Sequence, residues 1–286
     1  GKEVAMDLSI AQLQAIAHVE SLSNGLPIDK SLRITINFHP DRYYDRIHIL
    51  ESISQAGLYK SQFETGSSNG GLTAYVGGDR WNWESRILGA SYDQASPNER
   101  PKYGALNYKN YDFGASPRFG SAFFKLKAEV MNRCTFCYPD SVYEPTAFGT
   151  ASRSNLVELA LKDEQEDLLD DYVEAQIHGE LCIARDVEAL VLDPSYKDTE
   201  IEDFAKKLNC PIEWHSGFIL TIDEMEKYPE YRGIEYVTLG REIAVDSTLT
   251  PFIIGQAAAS GKYDLQKLKK VWHNLARYGR RPLVSL

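Results

Sequence analysis

No stretch of about 18 apolar residues occurs anywhere in the 286-residue chain, so no segment has the makings of a membrane-spanning helix. The first residues also lack the charged-then-apolar order of a secretory signal. The sequence starts at Gly1, so the lack of a targeting segment proves little. Basic residues are outnumbered, 31 against 41 acidic, and the net charge of −10 repels nucleic acid. Four cysteines are too few for a disulfide framework at this length. Cys134-Thr-Phe-Cys137 has the spacing of half a zinc site, yet no second Cys pair or His pair completes four ligands. Buried thiols in a reducing compartment are the expectation, with Cys182 and Cys210 isolated among apolar neighbours. Several familiar motifs are missing too: no phosphate-binding P-loop, no nucleophile elbow, no HExxH metal helix and no dinucleotide-binding glycine fingerprint between a strand and a helix.

What is present is an aromatic-rich globular composition, 43% hydrophobic with 17 Tyr and 11 Phe, which argues against disorder and provides for a substantial core. The most telling stretch is Tyr172-Val-Glu-Ala-Gln-Ile-His-Gly179. In an extended strand, period-two geometry puts Glu174, Gln176 and His178 on one face and Val173, Ala175 and Ile177 on the other. Taken alone, that pattern reads as an edge strand with a solvated outer face. Residues 32–39 alternate in the same way. Ile34, Ile36 and Phe38 oppose Arg33, Thr35, Asn37 and His39, and Pro40 stops the strand.

Helical spacing is expected over 9–22, 44–56 (closed by Gly57), 155–169, 198–208 and the C-terminal basic stretch 267–281. In the last of these, Leu268, Val271, Trp272 and Leu275 face inward. Strands are expected over 121–130, 134–138, 187–192, 212–215 and 218–222, and a short one from Leu58 leads into a Gly/Ser/Asn loop. Residues 72–117, rich in Trp, Tyr, Gly and Asn, show little periodicity and read as a function-bearing surface. The sum is an α+β chain, a mainly antiparallel β core with flanking helices. Three segments are expected: an N-terminal helical segment 1–30, a main β-core domain 31–222 and a C-terminal helical extension 223–286 packed on it. The residues themselves offer a cleft with His39, Glu174, Gln176 and several serines, which does not name a reaction.

The order and spacing of several strings resemble the ADP-ribosyltransferase superfamily, which includes diphtheria toxin and the poly(ADP-ribose) polymerases. They are Phe38-His-Pro-Asp-Arg42 at the end of the first strand, Ile49-Leu-Glu-Ser-Ile-Ser-Gln-Ala-Gly-Leu58, Tyr103-Gly-Ala-Leu-Asn107 and the strand with Glu174. Phe63-Glu-Thr-Gly-Ser-Ser-Asn-Gly-Gly71, Gly77-Gly-Asp-Arg-Trp81, Arg100-Pro-Lys-Tyr-Gly-Ala-Leu-Asn107 and Pro117-Arg-Phe-Gly-Ser-Ala-Phe-Phe124 are similar to one bacterial group within it. That group holds uncharacterised proteins and secreted effectors, some of which modify host ubiquitin; the likeness covers about residues 30 to 220.

The resemblance implies an NAD-dependent mono-ADP-ribosyltransferase acting on a protein side chain, a Thr or Ser hydroxyl of ubiquitin being one candidate acceptor. It implies a place either among secreted effectors in a host cytoplasm or in the bacterial cytoplasm, and a partner that is neither nucleic acid nor membrane. Glu174 would stabilise the ribosyl cation, with Gln176 orienting the ribose or the acceptor. His39 or Arg42 would anchor the adenosine or pyrophosphate end of NAD, and Tyr103 would stack on the nicotinamide. Gln62, Thr65, Ser67, Ser68 and Asn69 would line the pocket, with Arg118 and Ser121 beside them. No clean Ser-Thr-Ser motif is present, so a His-Tyr-Glu and an Arg-Ser-Glu type of site both stay open. An NAD glycohydrolase and a non-catalytic binding module for carbohydrate or peptide are the competing readings.

Overall fold

The computed structural model describes residues 7–44, 46–66 and 74–280. Eight strands form the central sheet. In chain order they are β1 (Ile34–Phe38), β2 (Lys102–Leu106), β3 (Ala122–Leu126), β4 (Cys134–Tyr138), β5 (Ala147–Thr150), β6 (Val173–Ile177), β7 (Val187–Leu192) and β8 (Ile212–Trp214). Their spatial order is β8-β7-β3-β1-β2-β6-β4-β5, and every neighbouring pair is antiparallel except β7 with β8. With helices on its flanks, the chain is of the α+β class. Among the described residues no helix is long and apolar enough to cross a membrane.

The strand that carries Glu174 is not an edge: β6 pairs with β2 on one side and with β4 on the other. The alternation read from sequence holds, but both faces are covered. Val173, Ala175 and Ile177 join Ile34, Ile36, Phe124, Phe136 and Leu190 in the main core. On the opposite face Glu174, Gln176 and His178 are also buried. Alternation therefore separates an apolar layer from a polar one here, rather than core from solvent.

The helices are set by local signals. Ser9 caps α1 (Ile10–Leu22) in a reciprocal box with Gln12. The expected helix over 44–56 is shortened to α2 (Ile49–Ala56), because Tyr43–Tyr44 and Ile47–His48 form a small hairpin first. Gly57 ends α2 at φ 68°, a left-handed turn that suits glycine. The stretch without clear periodicity contains α3 (Asp79–Ile87), which starts just after Gly77-Gly78, and the central strand β2. The expected strand 121–130 stops at Leu126 and turns into a 3₁₀ segment, Ala128–Arg133. The acidic helix is only α4 (Leu156–Lys162), followed by the 3₁₀ turn Leu168–Asp170.

Three C-terminal helices, α5 (Ile234–Ile243), α6 (Pro251–Ala259) and α7 (Leu265–Tyr278), surround a second core. Leu268, Val271, Trp272 and Leu275 face inward from α7 as its periodicity requires, each no more than 1% exposed. That core also takes in Phe113, Leu169, Phe218 and Leu220, so its members come from both sides of the expected boundary at 222/223. Trp272 ties it to the 3₁₀ turn Pro117–Phe119 ahead of β3, since its indole N–H donates to the carbonyls of Pro117 (3.0 Å) and Arg118 (3.3 Å). Truncating this side chain removes both the packing and those donors. Trp272→Ala is expected to lower stability by about 3–5 kcal/mol, read from urea denaturation midpoints.

Candidate active site

The polar face of the sheet opens into a cavity of about 270 Å³. Its walls include Glu174 from β6, Tyr103 from β2, Asn37 from β1 and Arg80 and Trp83 from α3, with Tyr172 and Asp140 below and Arg118 and Lys269 at one side. Pairing register explains why Tyr103 and Glu174 meet. Tyr103 lies opposite Gln176 and Ala105 opposite Glu174, so the tyrosine is the diagonal neighbour of the glutamate on the same face. The small Ala105 on that face leaves room between them.

Glu174 is 6% exposed and firmly held. One carboxylate oxygen accepts from the Ser141 hydroxyl (2.9 Å) and amide (3.3 Å), the other from the Gln176 amide (2.6 Å) and the Cys137 thiol (3.4 Å). Burial raises its pKa above the ordinary value, and Asp140 adds to the rise, while Arg80 and the Ser141 donors pull it back down. Ser141 also accepts from the Arg80 guanidinium at 2.9 Å, so a hydroxyl bridges the arginine to the glutamate. The Arg80 guanidinium lies 4.4 Å from the Tyr103 ring centroid and 5.0 Å from that of Trp83.

Tyr103 is fixed by a second acid. Its hydroxyl donates to Glu84 at 2.6 Å, and Glu84 pairs with Arg100 at 3.0 Å, with almost no solvent access to either side chain of the pair. Burial pushes the Glu84 carboxyl up to about 7 even though Tyr103, Arg100 and Arg80 all pull it down. His39 and Arg42 lie in an adjoining cavity of about 230 Å³, along with Gln62 and Thr65. Gln62 lines both cavities, which makes them neighbouring compartments of one cleft. Burial, and next the charge of Arg42, hold the His39 imidazole well below its usual pKa, so it is neutral. Among the described residues, three buried polar atoms of the cleft residues lack a hydrogen-bond partner: Arg42 Nη1, Gln62 Oε1 and Arg80 Nε. Buried polar groups are ordinarily satisfied, so the two guanidinium N–H groups suit anionic oxygens of a ligand and the Gln62 oxygen suits one of its O–H or N–H groups.

The structure thus brings together Glu174, Tyr103, Arg118 and Gln62 around one compartment and His39, Arg42, Gln62 and Thr65 around the next. Two of the expected residues are absent from the lining of both compartments. Gln176 is 1% exposed, and its amide group bonds Glu174 and Thr135, which positions the acid. Ser121, just before β3, is fully buried and lines neither compartment. Ser67, Ser68 and Asn69 lie outside the described residues. Asp41, next to Arg42 in the chain, accepts from the Tyr196 hydroxyl at 3.0 Å.

Sequence reasoning missed Arg80, Trp83, Asn37, Asp140, Tyr172 and Lys269. The spacing of Arg80 and Glu84, i and i+4 on one helical turn, was the available signal for α3. Cys134 and Cys137, three apart on one strand, point to opposite faces: Cys134 into the apolar core and Cys137 toward Glu174. Among the described residues no group of three or more Cys, His, Asp or Glu could hold a metal ion.

Removing one member of a buried ion pair strands the other. Glu84→Ala leaves Arg100 buried and unpaired, and is expected to cost about 3–5 kcal/mol in urea unfolding while freeing the Tyr103 ring.

No curated protein matches the chain. One family, described as protein of unknown function (DUF3626), matches it over residues 33–168 and 154–279, well over half of its length. The chain belongs to that family.

Proposed function

We propose that the protein is an NAD-dependent mono-ADP-ribosyltransferase that moves ADP-ribose to a protein side chain and releases nicotinamide. The observation that supports it best is the two-compartment cleft, with Glu174 and Tyr103 in one compartment, His39 and Arg42 in the other and Gln62 common to both. Breaking the nicotinamide–ribose bond sends the bonding pair out with nicotinamide and leaves positive charge on the ribosyl carbon. The acceptor then attacks that carbon and gives up its proton. A fixed, poorly solvated carboxylate stabilises such a cation more strongly than water does, as in glycoside cleavage.

The residues divide the work in a consistent way. Glu174 stands where a developing cation needs a negative group. Tyr103, with its hydroxyl held by Glu84, presents a ring face for an aromatic base. Arg42 has an uncommitted guanidinium N–H for a phosphate oxygen, and neutral His39 can donate one hydrogen bond to a ribose or phosphate. Tyr103 beside Glu174, with His39 in the adjoining compartment, fits a His-Tyr-Glu arrangement. Ubiquitin is the first acceptor to try, and delivery as a secreted effector belongs to the same reading; both rest on sequence resemblance.

Incubation with labelled NAD tests the proposal. Label carried onto an acceptor protein supports transfer, free ADP-ribose alone makes water the acceptor, and the absence of both refutes NAD chemistry. Glu174→Ala is expected to cut turnover by about 10²–10³-fold while NAD binding by calorimetry persists. The acid must be ionised to act, and burial raises its pKa. The rate should therefore fall on acidification at a pH above the ordinary glutamate value of 4.5.

A further inference from the structure

Behind Glu174, away from the cavity, four side chains form an unbroken buried chain. The Gln176 amide donates to Glu174 at 2.6 Å, and the Gln176 carbonyl oxygen accepts from the Thr135 hydroxyl at 2.8 Å. Thr135 Oγ1 lies 2.8 Å from His178 Nε2, and His178 Nδ1 lies 2.6 Å from the Tyr92 hydroxyl. Gln176, Thr135 and His178 are each no more than 1% exposed, and so is Tyr92. Register builds the first links, since Thr135 on β4 lies directly opposite Gln176 on β6. Tyr92 closes the chain from outside the sheet, packed among Ala15, Val19, Ile87 and Leu88.

The protons in this chain can be assigned. An ionised Glu174 is an acceptor only, so the Gln176 NH₂ must face it and the Gln176 oxygen must face Thr135. Thr135 has one proton and gives it to Gln176, so its oxygen takes the proton of His178 Nε2. His178 Nδ1 is then bare and accepts from Tyr92. A neutral imidazole is required, and burial beside Lys102 and Arg133 pushes the His178 pKa down to about 3. Every donor points toward the carboxylate.

The reverse order is also drawable, starting from a protonated Glu174. It would end with the Tyr92 hydroxyl proton having no acceptor. Among the described residues His178 is its hydrogen-bond partner, and Tyr92 is 1% exposed. An unsatisfied buried donor is costly, so the two directions are unequal. The chain favours the state in which Glu174 carries charge.

We propose that Tyr92, His178 and Thr135 are positioning residues, a one-way hydrogen-bond relay that acts through Gln176 to keep Glu174 ionised and aimed into the cavity. Its value to catalysis rests on the transferase reading above; the relay itself does not. Other groups around Glu174 act on the same charge: Arg80 and the Ser141 donors favour it, while Asp140, the Cys137 thiol, Tyr103 and Tyr172 stand near it on the remaining sides. Around the far end, Tyr92 is flanked by Glu84, Glu99 and Arg100.

The test is a titration of the ligand-free protein, following glutamate carboxyl carbons by ¹³C NMR, with the Glu174 signal assigned by its loss in Glu174→Gln. Tyr92→Phe removes the terminal proton with little change in shape, and Thr135→Val breaks the middle link. In both, the Glu174 carboxyl is expected to titrate about one unit higher, a tenfold change in its proton affinity. Thr135→Ser, which keeps the hydroxyl, is expected to titrate like the parent. Far-UV circular dichroism checks that each variant is folded, and the two conservative changes, Tyr92→Phe and Thr135→Ser, decide the matter if Thr135→Val is not. Unchanged titration in Tyr92→Phe, or a Thr135→Ser protein whose Glu174 titrates about one unit above the parent, overturns the relay. Because the titration contains no NAD, its outcome is independent of whether NAD is turned over. If it is, the acid limb of turnover is expected to move upward together with the NMR titration in Tyr92→Phe.

Discussion

Keeping a carboxylate charged where water barely reaches it is the constraint on which the centre of this protein depends. Glu174 is 6% exposed, and desolvation is the largest influence on its ionisation. A lone charge in such a place would take up a proton instead. Its surroundings answer with donors from three directions: Ser141 from the turn after β4, Gln176 from its own strand and Cys137 from the strand alongside. Arg80 then reaches the same carboxylate through Ser141, so α3 and the sheet are joined by the group they stabilise. The second buried acid follows the same logic with a different solution, a direct ion pair to Arg100 and a tyrosine hydroxyl. Of these two acids, Glu174 is itself one of the residues that face each other diagonally across β2 and β6, and Glu84 fixes the other, Tyr103.

Much of this was readable in the sequence because alternation is a strong local signal. The faces of β1 and β6, the inward side of α7 and the stop at Gly57 follow from period, capping and turn chemistry alone. The meaning of the polar face was not readable. Alternation looks the same whether polar residues meet water or a buried network, and only what covers that face, Arg80 and Ser141 over Glu174 and Tyr92 over His178, tells them apart. Gln176 shows the consequence. It shares a face with Glu174 as expected, but Thr135 from another strand absorbs its carbonyl oxygen, and no spacing within residues 172–179 reveals that partner.

The aromatic stretch 72–117 was hardest to read, and for physical reasons. α3 is only nine residues long, carries Arg80 and Glu84 on its buried side and so lacks an apolar stripe. β2 holds Gly104 in the middle and a buried Lys102 whose ammonium donates to the Gly179 carbonyl, both poor advertisements for a central strand. Residues whose burial is justified by polar partners rather than by the hydrophobic effect leave little periodic trace. In this chain those are the residues that build the cavity.

The central position of β6 carries a final consequence for access. Its two edges are fully engaged by β2 and β4, so an incoming polypeptide cannot join it as an extra strand. Glu174 faces the cavity whose lining includes Trp83 on α3 and Val142 and Tyr143 on the turn after β4. Val142 and Tyr143 are solvent-exposed apolar side chains. The space above Glu174 is therefore bounded by loops and a helix, not by a free sheet edge.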